Sequence, residues 1–127
     1  MAVERIIIVA LIASSLISMA TATAGSATFY TEYVPSACYE YNDQGTMIAA
    51  ANPSLFNNKA ACGKSYKVKC TGAINQGPNP CRGGTITVKI VDLCPGCGKN
   101  QLDLSQPAFS MIANPDAGRI RIHYTKV

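Results

Sequence analysis

Alternating apolar and polar residues mark three segments of the chain as half-buried β-strands. Across residues 85–91, β-branched apolar residues alternate with Thr and Lys, and residues 119–124 and 65–70 follow the same two-residue period. Because successive side chains of a strand point to opposite faces, each segment is expected to have one buried and one solvent-facing side. Weaker strand patterns occur at residues 27–30, 47–50 and 101–104.

A helical pattern follows the last of these strands. Ser105 is a suitable N-cap, Pro107 suits the first turn, and Asn114 followed by proline ends the pattern. The apolar face of this helix consists of Ala108, Phe109, Ile112 and Ala113. Residues 55–58 can form a short helical turn, and turn-rich clusters separate the remaining segments. Six short strands with one or two helices, and no repeat or linker, predict one small, closed, mostly β barrel.

A different hydrophobic pattern occupies the N-terminus. Residues 6–13 are continuously apolar, they follow Arg5, and small residues continue to Ala24. A short basic start, an apolar run and a small-residue tail are typical of a secretory signal, and the run is too short to favour a membrane-spanning helix. We expect cleavage after Ala24, with neighbouring small residues as alternatives. The chain is thus divided into a signal peptide, 1–24, and a secreted domain, 25–127.

Composition and charge narrow the class of partner. The chain has 127 residues, of which 48% are hydrophobic and 14% charged, and this balance excludes a disordered tail. The net charge is +4. A basic protein of this kind can associate loosely with acidic polysaccharides. An exported chain without a nucleic-acid-binding motif is not expected to bind nucleic acid. The group Lys59, Lys64, Lys67 and Lys69 is expected to form a solvated face.

The six cysteines all follow the signal segment: Cys38, Cys62, Cys70, Cys81, Cys94 and Cys97. An even count in a small exported domain predicts three disulfides, whose connectivity the count alone leaves open. The spacing of Cys94 and Cys97 also occurs in zinc sites and thiol redox sites. Zinc would need a second ligand pair, but His123 is the only histidine, and no helical pattern follows Cys97. Neither a metal site nor a cofactor is expected.

Two acidic residues stand at strand ends, where side chains can line a groove. Asp92 follows the strand at 85–91, and Asp103 precedes the predicted helix. Two carboxylates on either side of a sugar bond could act as the acid and base of a glycosidase. The structural alternative is that Asp103 supports the helix N-terminus and Asp92 orders the loop around Cys94. Spacing alone favours this structural interpretation.

Several motifs resemble a known group of proteins. Ala27-Thr-Phe-Tyr30, Ala61-Cys-Gly63 and the seven residues from Asp103 occur in the order seen in the first domain of expansins, which resembles the family-45 endoglucanases. The motifs at 33–38, 57–63, 88–92 and 112–118 are more similar to the plant natriuretic peptides. These are single-domain, endoglucanase-like proteins related to citrus blight protein. The resemblance covers the secreted part and implies a disulfide-linked, six-stranded double-psi β-barrel.

The resemblance also implies roles for individual residues. Thr28, Tyr30 and Asp103 match positions that line the expansin polysaccharide groove, and Asp103 matches the catalytic acid of the endoglucanases. No residue clearly matches the catalytic base, since Asp92 looks more like a loop-holding residue. Gln101 stands where expansins have a histidine. We therefore expect no catalytic residues and no enzyme activity.

A disulfide pairing follows from the same resemblance. Expansins imply the pairs Cys38–Cys62 and Cys70–Cys81. The expansin cysteine that pairs with the counterpart of Cys94 is replaced here by Ser65. Cys97 is then the remaining partner of Cys94, and their short ring is expected to shape the loop after Asp92.

The leading hypothesis is a secreted, non-enzymatic, monomeric protein of the apoplast, similar to plant natriuretic peptides and acting in water and solute homeostasis. A plant cell-surface receptor would recognise Tyr33, Tyr39 and Tyr41 around Cys38, since exposed tyrosines are good contact residues. The alternative is a wall polysaccharide-binding or wall-loosening module. Its groove would contain Thr28, Tyr30, Asp92 and Asp103.

Overall fold

The computed structural model describes residues 21–127, which contain six β-strands, two short α-helices and one 3-10 turn. The strands are β1 (Thr23–Tyr30), β2 (Ile48–Ala51), β3 (Ser65–Ala73), β4 (Ile86–Leu93), β5 (Gln101–Ser105) and β6 (Ile120–Lys126). The helices are α1 (Pro53–Phe56) and α2 (Gln106–Ile112), and the 3-10 turn is Pro115–Ala117. All six predicted strands and the helix predicted after Ser105 are confirmed, whereas the short helical turn expected at 55–58 begins and ends two residues earlier, because Asn57 and Asn58 are in the left-handed region.

The six strands close into a barrel in the order β1-β5-β2-β4-β3-β6. The pairs β1–β5 and β2–β4 are parallel, and the other four neighbouring pairs are antiparallel. Closure leaves no strand of the barrel with an unpaired edge. The prediction of a closed, mostly β barrel is therefore confirmed. Among residues 21–127, no helix has the length and apolar character needed to cross a membrane.

The alternation seen in the sequence decides which side chains fill the barrel. On β3, Val68 is fully buried while its neighbours Lys67 and Lys69 are exposed. Burial of each such valine, leucine or isoleucine contributes about 1.5–3 kcal/mol. Helix α2 packs against the barrel, since its Phe109 is completely buried and its ring lies edge-on to the ring of Phe29, with 5.0 Å between the ring centroids. The predicted cap is also present, since the Ser105 hydroxyl accepts a hydrogen bond from the Ala108 N–H.

Three disulfides crosslink the loops of the barrel. They join Cys38 to Cys62, Cys70 to Cys81 and Cys94 to Cys97. This is the pairing that the resemblance implies, and it is confirmed. The first bond holds the long loop between β1 and β2 to the segment after α1, and the third lies in the loop between β4 and β5.

Strand β1 begins close to the expected end of the signal segment. Residues 1–20, which make up most of that segment, lie outside the described residues. Thr23 and Ala24 are already paired with Tyr124 and His123 of β6. Cleavage after Ala24 would remove these two residues from the barrel, whereas cleavage at a small residue further upstream would leave β1 whole. The signal boundary stays a prediction.

Candidate functional site

A row of side chains crosses four neighbouring strands on the outside of the barrel. Thr28 of β1 lies opposite Asp103 of β5, Asp103 lies opposite Ala50 of β2, and Ala50 lies opposite Asp92 of β4. Neighbouring strands are roughly 4.8 Å apart, so the Cα atoms of the two aspartates are about 10 Å apart. Ala50 has the smallest side chain of the row. The row therefore places one carboxylate on each side of Ala50, which is itself buried. We refer to this row, together with Tyr30, as the groove.

A β-bulge brings Asp92 into this row. Ala49 pairs with Ile90 and Ala50 pairs with Asp92, so Val91 is an extra residue on β4. The Val91 side chain is buried, and its carbonyl accepts a hydrogen bond from the Cys38 N–H at 3.0 Å. A regular strand would turn Asp92 toward the other face of the sheet, because a shift of one residue exchanges the two faces.

Asp103 is held by a chain of hydrogen bonds. The Thr28 hydroxyl donates to Asp103 Oδ1 at 2.8 Å and accepts from Gln101 Nε2 at 3.1 Å. Gln101 Oε1 in turn accepts from the Gly98 N–H at 2.9 Å and from Arg119 Nη2 at 3.3 Å. Gln101, which the sequence analysis noted only as a departure from the expansin pattern, is thus the residue that orients Thr28. Its long-range partners give it this role, and no local pattern indicates them.

Burial raises the pKa of the Asp103 carboxyl above its ordinary value, while the hydrogen bond from Thr28 acts in the opposite direction. Burial disfavours the charged form, and a donor to the carboxylate favours it. A raised pKa is suitable for a general acid. Asp103 thus has the environment of a proton donor.

Asp92 has a different environment. Its Oδ1 accepts hydrogen bonds from the backbone N–H groups of Ala37 at 2.8 Å and of Leu93 at 2.9 Å. These bonds tie the loop between β1 and β2 to the end of β4. The contacts support the loop-holding role.

Tyr30 lies near both carboxylates. Its hydroxyl is buried and, within the described part of the chain, has no hydrogen-bond partner. Burial is the main cause of its raised pKa, followed by the charges of Asp92 and Asp103. The Tyr33 ring packs edge-on against the Tyr30 ring at 5.3 Å. The four groove residues of the sequence analysis, Thr28, Tyr30, Asp92 and Asp103, therefore lie in one place.

The three tyrosines of the expected signalling surface lie in different environments. Tyr33 belongs to the groove through its contact with Tyr30. Tyr39 is half-buried, and Lys89 Nζ lies 5.0 Å from the centre of its ring. Only Tyr41 is widely exposed, at 78%.

Thr28→Val is expected to raise the pKa of Asp103 further, because burial would then act without the opposing hydrogen bond. A carboxyl with a folded-state pKa above its unfolded value destabilises the fold as pH rises from about 4, the ordinary Asp value, through the folded-state pKa. The variant is therefore expected to lose more stability than the unchanged protein between acidic and neutral pH. Carboxyl-carbon NMR titration and denaturation at several pH values would measure both effects.

Thr87→Val is the matched control for this substitution, because Thr87 is exposed and pairs with Lys67 rather than with a carboxylate. It is expected to leave the Asp103 titration unchanged. An Asp103 pKa that falls in Thr28→Val, or stays the same, would contradict the assigned role of the hydroxyl.

Comparisons with known proteins agree with this fold. A family model described as lytic transglycolase matches residues 48–124. An EG45-like domain containing protein from Citrus jambhiri is 56% identical over 125 residues, which cover 96% of this chain and 95% of the relative.

Two solved structures are similar in fold. The apo expansin of Clavibacter michiganensis has a TM-score of 0.69 at 27% identity, over 84% of this chain and 50% of the expansin. A mutant of that expansin in complex with cellohexaose has a TM-score of 0.67 at 26% identity, again over 84% and 50% of the two chains. The chain thus spans about half the length of these expansins. The predicted double-psi β-barrel is confirmed.

Proposed function

The chain belongs to the EG45-like domain proteins, and from this membership and the groove geometry we propose that it binds a neutral β-glucan chain without hydrolysing it. In this proposal it acts as a single-domain, expansin-like module of the plant cell wall. The observation that carries the proposal is the row of Thr28, Asp103, Ala50 and Asp92 beside the half-buried Tyr30.

Each part of the groove suits a sugar chain. The two carboxylates stand on either side of the small side chain of Ala50, and their oxygens can accept hydrogen bonds from sugar hydroxyls. The Tyr30 ring can contact the C–H face of a sugar, since aromatic rings offer a large apolar surface. The similarity to an expansin solved in complex with cellohexaose supports a glucan as the ligand.

The absence of hydrolysis follows from the roles of the two aspartates. An inverting glycosidase needs an acid that protonates the leaving oxygen and a base that activates water on the opposite side of the sugar. Asp103 has the environment of an acid, whereas Asp92 holds the loop between β1 and β2 through two backbone N–H groups, so in this proposal no carboxylate acts as the base. A lone acid accelerates the reaction little.

Secretion is part of the same proposal. We propose that a signal peptide within residues 1–24 is removed and that the remaining chain is a monomeric barrel domain in the apoplast, where an oxidising environment preserves disulfides. Because Thr23 and Ala24 pair with β6, cleavage at a small residue upstream of Thr23 is the better fit to an intact barrel.

A second candidate function is natriuretic peptide-like signalling in water and solute homeostasis through a cell-surface receptor. The observation that favours it is the exposure of Tyr41, which follows a turn closed by paired backbone hydrogen bonds between Ser36 and Glu40. An exposed tyrosine on a rigid turn is a suitable contact for a receptor. Tyr33 and Tyr39 are half-buried, so Tyr41 is the residue through which this candidate is tested.

Calorimetry with cellohexaose and a reducing-end assay would test the proposed function together. Binding is expected without release of reducing ends above the level of an Asp103→Ala control. Release well above that control would show hydrolysis, and absence of binding would overturn the proposed ligand.

A protoplast-swelling assay separates the two candidate functions. Signalling through the turn predicts that Tyr41→Ser reduces swelling while Asp103→Asn does not, and a groove-dependent effect predicts the reverse.

A further inference from the structure

Two neighbouring depressions lie beside β1 and β6. The larger, of about 510 Å³, lies where β1 and β6 meet the loop before β5, and the smaller, of about 380 Å³, lies between the end of β6 and the start of α1. Lys99 and Asn100 line both of them and lie between them. We refer to this surface as the basic trench.

The lining of the basic trench carries charge of one sign. Lys99, Arg121 and His123 line the larger depression, and Lys99 and Lys126 line the smaller one. No acidic residue is among the described residues that line either depression. The six acidic residues between positions 21 and 127 lie elsewhere, in the loop after β1, in the groove and in the 3-10 turn.

Strand register adds a fifth basic position, Lys69, beside the trench. His123 of β6 pairs with Lys69 of β3, and both side chains are exposed. The four lysines that the sequence groups together are thus separated in the fold. Lys67 and Lys69 lie on β3 next to β6, whereas Lys59 and Lys64 lie in the segment after α1.

Contacts within the protein leave the charge of the arginines available. Arg121 Nε donates to the Ala73 carbonyl at 3.0 Å. Arg119, which lies between the trench and the groove, donates to Ser26 Oγ at 3.2 Å and to Gln101 Oε1 at 3.3 Å. All these acceptors are neutral. They hold the guanidinium groups in place without compensating their charge.

The loop that carries Lys99 is packed tightly against β1. The Ser26 N–H donates to the Asn100 carbonyl, and a Cβ atom added to Gly25 would lie only 1.9 Å from that carbonyl oxygen. Glycine is therefore required for this close approach. The contact fixes Lys99 between the two depressions, so the positive charges have a defined spacing rather than belonging to a mobile loop.

From these observations we propose that the basic trench binds an acidic polysaccharide of the uronic-acid type, at a site separate from the glucan groove. Its charges attract a polyanion, and Ser26, Thr71 and Asn100 can hydrogen-bond to sugar hydroxyls. Single-stranded nucleic acid would need exposed aromatic rings for base stacking. The tyrosines of the trench, Tyr66 and Tyr124, are instead buried and packed against each other.

Binding of de-esterified polygalacturonate to the purified protein would test the proposal. The double variant Lys99→Gln/Arg121→Gln is expected to bind roughly tenfold more weakly, because each exposed charge pair contributes up to about 1 kcal/mol. Lys59→Gln/Lys64→Gln removes the same charge away from the trench and is the matched control, with an expected loss of about twofold or less. Raising the salt concentration is expected to weaken binding of the unchanged protein.

Three results would overturn the proposal: an equal loss in the control variant, equally tight binding of fully methyl-esterified polygalacturonate, or equally tight binding of vesicles containing anionic phospholipid.

A groove variant tests whether the two sites are separate. Tyr30→Ala is expected to retain polygalacturonate binding, and the trench variant is expected to retain cellohexaose binding. Loss of both ligands in either variant would contradict the separation of the sites.

Discussion

Replacement of Tyr30 by alanine is expected to weaken cellohexaose binding by at least about tenfold, a loss of roughly 1.4 kcal/mol, because it removes the aromatic surface of the groove.

Replacement of Tyr30 by phenylalanine is expected to preserve cellohexaose binding and to raise the free energy of unfolding. The Tyr30 hydroxyl is buried without a partner in the described part of the chain. A buried polar group without a hydrogen bond costs about 1–3 kcal/mol, and phenylalanine removes it while keeping the ring.

Calorimetry and urea denaturation of the same samples would measure both effects of the Tyr30 substitutions. Tyr41→Phe is the matched control, because its hydroxyl belongs to an exposed side chain, and neither binding nor stability is expected to change. If Tyr30→Phe lost as much affinity as Tyr30→Ala, the hydroxyl rather than the ring would be the sugar contact. Unchanged affinity in a folded Tyr30→Ala variant would refute the groove.

Strands β3, β4 and β6 could be predicted from the sequence because each carries a local two-residue period. Ile120, Ile122 and Tyr124 of β6 are buried as that period requires. The order of the strands around the barrel has no such local signal in the sequence. β1 pairs with β5 and β6, which are distant in sequence, and only the resemblance to expansins indicated this arrangement.

The candidate site was predictable in its members but not in its geometry. Thr28 and Asp103 could be named from motifs, yet the orientation of Asp92 depends on the bulge at Val91. That bulge is set by pairing with β2, and the only trace of it in the sequence is two successive apolar residues, Ile90 and Val91. Gln101 gives no local signal, since its partners lie on β1, on the segment before β6 and in its own loop.

The loop that carries Tyr39 and Tyr41 shows a second limit of prediction from the sequence. Tyr39 and Tyr41 look equivalent in the sequence, because both are polar aromatics in a turn-rich segment. Glu40 between them has a φ of 54°, in the left-handed region. This conformation turns the chain between the two tyrosines, so one packs beneath Lys89 and the other faces solvent. A backbone conformation of this kind is imposed by the surrounding structure.

The disulfides constrain loops of very different length. The two cysteines are 24 residues apart in Cys38–Cys62, 11 apart in Cys70–Cys81 and 3 apart in Cys94–Cys97. A disulfide stabilises a protein mainly by restricting its unfolded chain, and this restriction grows with the length of the loop that the bond closes. The first bond also holds the loop in which the Ala37 N–H donates to Asp92.

Replacing Cys38 and Cys62 together with alanine is therefore expected to lower the free energy of unfolding by about 3 kcal/mol, and replacing Cys94 and Cys97 by about 1.5 kcal/mol. Urea denaturation without reductant would measure both values. Equal losses would mean that native contacts, rather than loop length, determine the contribution of these bonds. A loss well above about 3 kcal/mol in the first variant, together with weaker cellohexaose binding, would mean that the loop carrying Ala37 must be anchored for Asp92 to shape the groove.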